Sequence, residues 1–216
     1  MEENLITKDD LLNKLRAYNK NPDDEGIQYK EKIKKALLSN PCLLYALNEK
    51  ELELELFDEN GNINWEINEN GEYEPLGEWD RYFGSNSNIR PFLFIPDTQT
   101  DVSNYICYQV MFDESPRYQD TLKYTNITFT IFVHSKNKID ENTGIARHDL
   151  IASILRERFN WSNVFGMQTH LISSKESTTD TNYLVRTLVF QLVDTNGIVN
   201  SPYGGQSSLN NYQLRR

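Results

Sequence analysis

The sequence predicts an α+β fold in which a mixed or antiparallel sheet packs with a helix. The clearest evidence is the run 126–133, where β-branched and aromatic residues alternate with polar residues, as in a half-buried strand. After Gly144, apolar residues recur at helical spacing as far as Phe159, with charged residues on the opposite face. Two more strand-like runs follow, at 169–173 and 183–194. We therefore predict one short helix that lies on a sheet.

Residues 1–48 are predicted to form N-terminal helices. Thr7, with Asp10 three residues later, fits a loose capping box for the first helix. A second helix is predicted from about 25 to 38, and it ends near Pro41 because the residue before a proline avoids the helical conformation. The apolar residues expected to face inward are Leu11, Leu12 and Leu15 in the first helix and Ile27, Ile33, Ala36 and Leu37 in the second.

Residues 49–73 are predicted to form a projecting β-hairpin lobe. Glutamates alternate with leucines up to Leu56, which is the period of a half-exposed strand. Asn60-Gly61 is a preferred hairpin dipeptide, and the apolar residues of 63–67 would form the returning strand.

The whole of 1–200 is predicted to be a single α+β domain. Its core sheet and helix would lie within 101–199, where the alternation over 105–112 adds another strand. Residues 201–216 are rich in Gly, Ser, Asn and Gln and almost lack aliphatic residues, so we expect a flexible C-terminal arm. Three segments are predicted to be loops: an irregular one at 74–100 and polar ones at 135–143 and 174–182.

Charge and composition exclude several classes of protein. The formal net charge of -10 argues against a surface that grips nucleic acid, which requires clustered Lys and Arg. No run approaches the ~20 apolar residues that span a bilayer, and the N-terminus lacks a secretory signal, so we expect no membrane association. Cys42 and Cys107 are predicted to be reduced, buried thiols because their spacing fits no disulfide framework or metal site.

No motif for catalysis or metal binding is complete. The pattern Asp58-x-Asn60-x-Asn62 resembles a calcium loop, but Ile63 stands where that loop needs glycine, so a plain turn is favoured over calcium. The histidines His134, His148 and His170 lack metal-ligand spacing, no G-x-S-x-G occurs, and Pro96-Asp97 lacks the acid and lysine that a nuclease needs on the next strand.

The region 124–194, roughly a third of the chain, carries a resemblance to a known family. Its segments are I-T-F-T-I-F-V-H-S (127–135), G-I-A-R-H-D-L-I-A-S-I-L (144–155) and Y-L-V-R-T-L-V-F-Q-L-V-D (183–194). In this order they resemble the tail terminator and tail-completion proteins of tailed bacteriophages, in which a small α+β subunit closes into a ring between head and tail. None of them is a catalytic fingerprint, and many unrelated folds share the β-α-β-β order.

The resemblance implies a structural virion protein that forms a homo-oligomeric ring in the neck or tail. It implies no enzyme activity, no cofactor and no metal. The partners would be further copies of the chain and neighbouring neck, portal-adaptor or tail ring proteins, with DNA passing through the lumen without specific binding. The protein would lie in the virion, after assembly in the host cytoplasm.

Seven residues are candidates for the ring interface, and alternatives remain open. Charges at the start of the 144–159 helix also fit helix-start electrostatics with a local ion pair. A stopper or adaptor ring of the neck is the second structural role, while a monomeric binding module and an undetected hydrolase are the rivals from other classes. The candidate interface residues are Arg147, His148 and Asp149 at the helix start, Lys136 and Lys138 in the first polar loop, and Lys175 and Glu176 in the second.

Overall fold

The chain has the α+β fold that the sequence predicts, in a computed structural model that describes residues 7–17, 25–67, 69, 73–75, 82–84, 87–94, 102–113, 122–179 and 182–195. Within those residues the helices are α1 (Lys8–Ala17), α2 (Glu25–Leu38), α3 (Pro41–Ala46), α4 (Lys50–Leu56) and α5 (Arg147–Phe159). The strands are β1 (Trp65–Ile67), β2 (Tyr73–Pro75), β3 (Ile89–Arg90), β4 (Tyr105–Asp113), β5 (Leu122–His134), β6 (His170–Thr178) and β7 (Tyr183–Thr195).

The main sheet is mixed, with the strand order β3-β4-β5-β7-β6. Among the described strands of this sheet, β3 pairs parallel with β4, whereas β4, β5, β7 and β6 pair antiparallel in turn. The two long central strands, β5 and β7, pair from Leu122 opposite Thr195 to His134 opposite Tyr183. The β6 strand therefore forms one edge of the sheet among the described residues, and a β-bulge interrupts it between Leu171 and Ser173.

One face of the sheet packs against the helices and forms the main core. Phe129 of β5, Phe190 of β7 and Phe159 of α5 are fully buried, and their ring centroids lie 4.9–6.0 Å apart. Aromatic residues of this size bury the most apolar area per residue, so this group stabilises the contact of α5 with the sheet. The predicted strand at 126–133 and the predicted helix after Gly144 are both confirmed.

The opposite face of the sheet carries a smaller apolar cluster. Its buried members are Cys107, Phe132, Tyr183 and Val185. Burial of Cys107 confirms the prediction for that thiol, and it raises the pKa of the thiol to about 11. Cys42 of α3 is a free thiol, as predicted, but the prediction that it is buried is wrong, because it is exposed.

The N-terminal helices largely follow the prediction. The Thr7 and Asp10 side chains form the capping interaction, with the Asp10 carboxylate accepting a hydrogen bond from the Thr7 hydroxyl. In α1, however, Leu11 and Leu15 are 51% and 63% exposed, so the apolar stripe does not enter the core. Ile27 of α2 is likewise exposed, whereas the other predicted inward residues of α2 are buried.

The strand predicted up to Leu56 is wrong, because Lys50–Leu56 forms helix α4. Leu52 and Leu56 lie four residues apart, so they share one helix face and are buried, while Leu54 is 81% exposed. The predicted turn at Asn60-Gly61 is present, but it leads only to a single bridge between Phe57 and Ile63. The returning strand appears as β1, and its partner is β2.

The polar segment 174–182 is also not a loop along its whole length. Residues 174–178 continue β6 beyond the bulge, and 180–181 lie outside the described residues. Polar side chains are accommodated there because this edge of the sheet is exposed. The segment 135–143 is the loop that was predicted, apart from a short 3₁₀ turn. The predicted arm at 201–216 lies outside the described residues.

A membrane-spanning helix is not found in the described ranges, since none of their helices combines the required length with enough apolar character.

Candidate subunit interface

Arg147, the first residue of α5, is buried inside the chain. Its guanidinium donates hydrogen bonds to the carbonyl oxygens of Ala46, Asn137 and Ile139, at 3.1, 3.0 and 3.4 Å. The Asp140 carboxylate lies 3.2 Å from Nη1, and the two side chains are only 4% and 6% exposed. The donors of Arg147 already bind α3 and the 135–143 loop, which argues against a direct contact of this side chain with a neighbouring subunit.

Asp140 is the counterion that balances this buried charge. Burial raises the pKa of its carboxyl group, but hydrogen bonds from Thr143 and the charge of Arg147 outweigh that effect, so the pKa lies below its usual value. The Thr143 backbone N–H and hydroxyl donate to Oδ2 at 3.0 and 2.8 Å. Gly144 then turns the chain with a φ of 70°, a conformation that glycine adopts without strain.

His148 connects α5 to the edge of the sheet. It is 3% exposed, and its Nε2 lies 3.2 Å from Glu176 of β6 and 3.8 Å from Asp149. Arg186 of β7 lies 3.1 Å from Asp149 and 3.6 Å from Glu176, so the four groups form one network. The structure thus brings together three of the predicted residues, and it adds one that the sequence did not indicate.

The network is half-exposed on its acidic side. The side chains of Asp149 and Glu176 are 43% and 54% exposed, and that of Arg186 is 25% exposed. His148 Nδ1 is buried without a hydrogen-bond partner among the described residues. Exposed ion pairs of this kind contribute little to stability. A contact of Asp149 and Glu176 with another subunit stays a prediction.

The three lysines predicted for the interface are all exposed, and they lie on two different elements. Lys136 and Lys138 lie in the 135–143 loop, and Lys175 lies on β6. His134 precedes Lys136, and its Nδ1 accepts a hydrogen bond from the Lys136 backbone N–H. Burial and the nearby Lys136 charge lower the pKa of His134, which favours the neutral form.

Three large apolar side chains lie exposed between the end of α5 and the β6 bulge, and we name them together the edge patch. It consists of Trp161, Met167 and Ile172, which are 65%, 45% and 48% exposed. The Trp161 ring stacks on that of His170, with the centroids 6.0 Å apart, and Ile172 is the residue at the β6 bulge. The sequence analysis missed this patch because its residues read as ordinary loop and strand positions.

Asp58, a candidate calcium ligand, has a structural role in a turn, and the candidate histidine ligands do not come together. Asp58 forms the predicted turn, with Oδ1 accepting the backbone N–H groups of Asn60 and Asn62, both at 2.8 Å. The three histidines do not converge, since His134 and His170 lie at opposite ends of the sheet. Across the part of the chain that the structure describes, no cluster of three His, Cys, Asp or Glu side chains could hold a metal ion.

Comparison with known protein families finds a match over most of the chain. A family model described as YomW covers residues 40–192, which include α3 to α5 and nearly the whole main sheet. The name of this family is derived from a phage, and it indicates a phage-associated protein without specifying a role. A search of curated proteins finds no match.

Proposed function

The chain belongs to the YomW family, and from this premise we propose that it is a structural virion protein whose copies form a ring in the phage neck or tail. Two independent lines support the proposal. The family indicates a phage-associated protein, and the α+β fold agrees with the tail terminator resemblance of residues 124–194. The proposed role is non-enzymatic and requires no cofactor.

The observation that carries the proposal is the open edge of the main sheet at β6. This strand has nine residues, and no described strand pairs with its outer side. The outer side of its first residues is partly occupied, because the Leu171 N–H donates a hydrogen bond to Asn160 Oδ1. Beyond the bulge no described strand lies on that side, and a free strand edge is a ready template for pairing with another chain. The edge patch of Trp161, Met167 and Ile172 lies beside it, and exposed apolar side chains of this kind mark interaction surfaces.

In the proposed ring, the free β6 edge of one subunit binds a different surface of the next copy. Such a contact is heterologous, and it generates a closed ring when the rotation between neighbours closes. The partners in this proposal are therefore other copies of the chain, followed by the rings above and below in the particle. The exposed Lys136 and Lys138 of the 135–143 loop are candidates for those axial contacts.

The net charge of the chain supports a passage for DNA instead of a grip on it. With 32 acidic and 22 basic residues, the chain repels the phosphate backbone, so DNA would move through the lumen without binding specifically.

A stopper or adaptor ring of the neck is the second candidate, and one observation favours it. Leu11 and Leu15 of α1 are exposed, so the helix presents an apolar stripe that the described part of the chain does not cover. An amphipathic helix of this kind can dock into a groove on a neighbouring ring. A minimal terminator subunit would not need this additional element.

The proposal is tested by locating the protein in purified phage particles. Particles from the phage that encodes the chain are analysed by mass spectrometry and by gold labelling with an antibody against it. We expect the protein in the particles and the label at the junction of head and tail. A protein that is made in infected cells but is missing from particles would contradict the proposal and favour a monomeric binding module or a hydrolase.

A further inference from the structure

Trp161 has a backbone conformation that is unfavourable for a bulky residue. It lies two residues beyond the end of α5 with a φ of 57°, in the left-handed region that favours glycine. Its side chain is 65% exposed, so burial in the core does not offset the cost of this conformation. Residues held in such sparsely populated conformations concentrate at functional sites. The conformation therefore indicates a function for the exposed indole ring.

The loop around Trp161 is fixed at several points, so it presents the ring in a defined position. The Trp161 backbone N–H donates to the Thr169 carbonyl at 2.6 Å, and the Thr169 N–H donates to the Ser162 carbonyl at 3.1 Å. Phe165, in the middle of the loop, is buried and stacks on Phe159 with the ring centroids 5.9 Å apart. A group that is already held in place loses little freedom when it binds, and tryptophan is enriched among the residues that dominate binding energy.

An open groove lies between α4 and the turn that follows it, and we name it the α4 groove. Its volume is about 520 Å³, within the range of about 300–1,000 Å³ that is usual for binding pockets. Phe57 and the 81% exposed Leu54 supply its apolar surface, and Lys50, Glu53 and Asp58 supply its charges. Such a site fits an indole ring, because an ammonium group binds the face of the ring and a carboxylate accepts its N–H.

The charges beside the ring and beside the groove are complementary. The exposed charged side chains of 50–59 are one basic and four acidic, namely Lys50, Glu51, Glu53, Asp58 and Glu59. The last turn of α5, which leads to Trp161, exposes two basic side chains and one acidic side chain, namely Arg156, Arg158 and Glu157. Opposite charges steer two surfaces towards each other and fix their relative orientation. The surface around the indole ring therefore suits the acidic surface around the α4 groove.

The two surfaces lie at opposite ends of α5. Phe57 of the groove contacts Tyr45, with the ring centroids 5.8 Å apart, and the Tyr45 hydroxyl accepts a hydrogen bond from Asn142 in the loop before α5. Trp161 follows the other end of this helix, whose 13 residues extend over about 20 Å. Because of this separation, Trp161 cannot reach the groove of its own chain, whereas it can reach the groove of a second copy.

We propose that Trp161 of one copy inserts into the α4 groove of the next copy. This inference rests on the proposed ring, and it names the two surfaces that form each contact. The surfaces differ from each other, so every subunit offers one of each, and such heterologous contacts close into a ring when the rotation closes. Insertion removes the exposed indole ring and the exposed Leu54 side chain from water, which stabilises the contact.

Two single variants and their mixture test this contact. Trp161→Asn removes the ring but supplies a residue that tolerates a positive φ. Leu54→Lys removes apolar surface from the groove and places a positive charge opposite the basic end of α5. Met111→Lys is the matched control, because Met111 is 46% exposed and alternates with Cys107 on the sheet face opposite the helices. Light scattering across a concentration series measures assembly, and urea unfolding below the assembly concentration measures the stability of each subunit.

Each variant alone is expected to raise the concentration for half assembly by at least about tenfold, because both lose contacts at the centre of the interface. The control is expected to assemble like the wild type. Trp161→Asn is expected to unfold at the same or a higher urea concentration than the wild type, because asparagine fits the left-handed conformation. A mixture of the two variants retains one intact ring and one intact groove, so it is expected to form a species of two chains, twice the 25.3 kDa mass of one.

The outcomes separate this inference from the proposed ring. If the wild type forms a ring and both variants do so equally well, the ring stands and the assignment of the two surfaces is wrong. A loss of subunit stability in Trp161→Asn together with its loss of assembly would show a structural role for the indole ring, and it would also overturn the assignment. A mixture that stays monomeric contradicts head-to-tail insertion, while a monomeric wild type contradicts both statements.

Discussion

Replacing the buried Arg147 by alanine is expected to destabilise the whole chain rather than to disturb an interface. The change removes hydrogen bonds to three backbone carbonyl groups and leaves the Asp140 carboxylate without its counterion. These groups belong to α3, the 135–143 loop and α5, so the substitution loosens three elements at once. Because Ala46 lies in α3, the contact also joins this helix to the start of α5.

The expected loss of stability follows from the burial of the Arg147–Asp140 ion pair. Breaking a buried ion pair by removing one partner costs about 3–5 kcal/mol, because the other charge stays buried and uncompensated. Both side chains here are less than a tenth exposed, so solvent screens them little. Arg147→Lys keeps the charge but not the planar fork of donors, so its free energy of unfolding is expected to lie between those of the wild type and Arg147→Ala.

The assay is urea unfolding followed by circular dichroism, which gives the free energy of unfolding of each variant. Arg156→Ala is the control, because Arg156 lies exposed on the same helix and its loss should change stability by about 0.5 kcal/mol or less. A loss for Arg147→Ala of under about 1 kcal/mol would refute the reasoning, since it would show that the buried contacts are not required.

Three further predictions concern protonation, backbone strain and thiol reactivity. The folded-state pKa of Asp140 lies below its usual value, so the ionised carboxylate stabilises the fold above pH ~4, and this stabilisation is lost as the pH falls through the lowered pKa. Urea unfolding at several pH values should show that Asp140→Asn has a lower free energy of unfolding than the wild type, and that this difference shrinks in acid. A difference that does not change with pH would contradict this. Gly144→Ala should lower the free energy of unfolding by about 1–2 kcal/mol through its positive φ alone, since an added Cβ meets nothing within 4 Å. Gly26→Ala in α2 is the control and should not destabilise the protein. Equal effects of the two substitutions would argue against backbone strain at Gly144. A thiol reagent at pH 8 should label Cys42 in the folded protein but Cys107 only after denaturation, because burial raises the pKa of the Cys107 thiol to about 11. Mass spectrometry of the labelled peptides measures both reactions. Rapid labelling of Cys107 in the folded protein would contradict its burial.

The main sheet and α5 could be predicted from the sequence because their patterns are long and regular. The run 126–133 is dense in β-branched and aromatic residues, and the helix after Gly144 repeats apolar residues over several turns. Both patterns lie in short continuous segments, so a single sequence is sufficient to recognise them. The α2 helix, from Glu25 to Leu38, was found for the same reason.

Helix α4 was mistaken for a strand because seven residues are too few to separate two periods. In K-E-L-E-L-E-L the leucines alternate as in a strand, but Leu52 and Leu56 are also one helical turn apart. Lysine, glutamate and leucine are good helix formers, and the run has no β-branched residue. Composition was therefore the better signal, and it favoured the helix.

The candidate site was only partly predictable because its contacts span large distances along the chain. Arg147 binds Ala46, 101 residues away, and nothing near a charged helix start indicates that it is buried. The partnership of Glu176 and Arg186 could have been found, since 174–178 and 184–188 pair across the β6–β7 hairpin. The edge patch becomes visible only when the sheet order places β6 at an edge.

The absolute mass of the purified protein in solution, measured by light scattering together with electron microscopy of any large species, tests the central claim most directly. We expect closed rings of one defined subunit number, in which every copy has the same two neighbours. A strict monomer at the highest soluble concentration would contradict it, and so would open fibres without a fixed number of subunits.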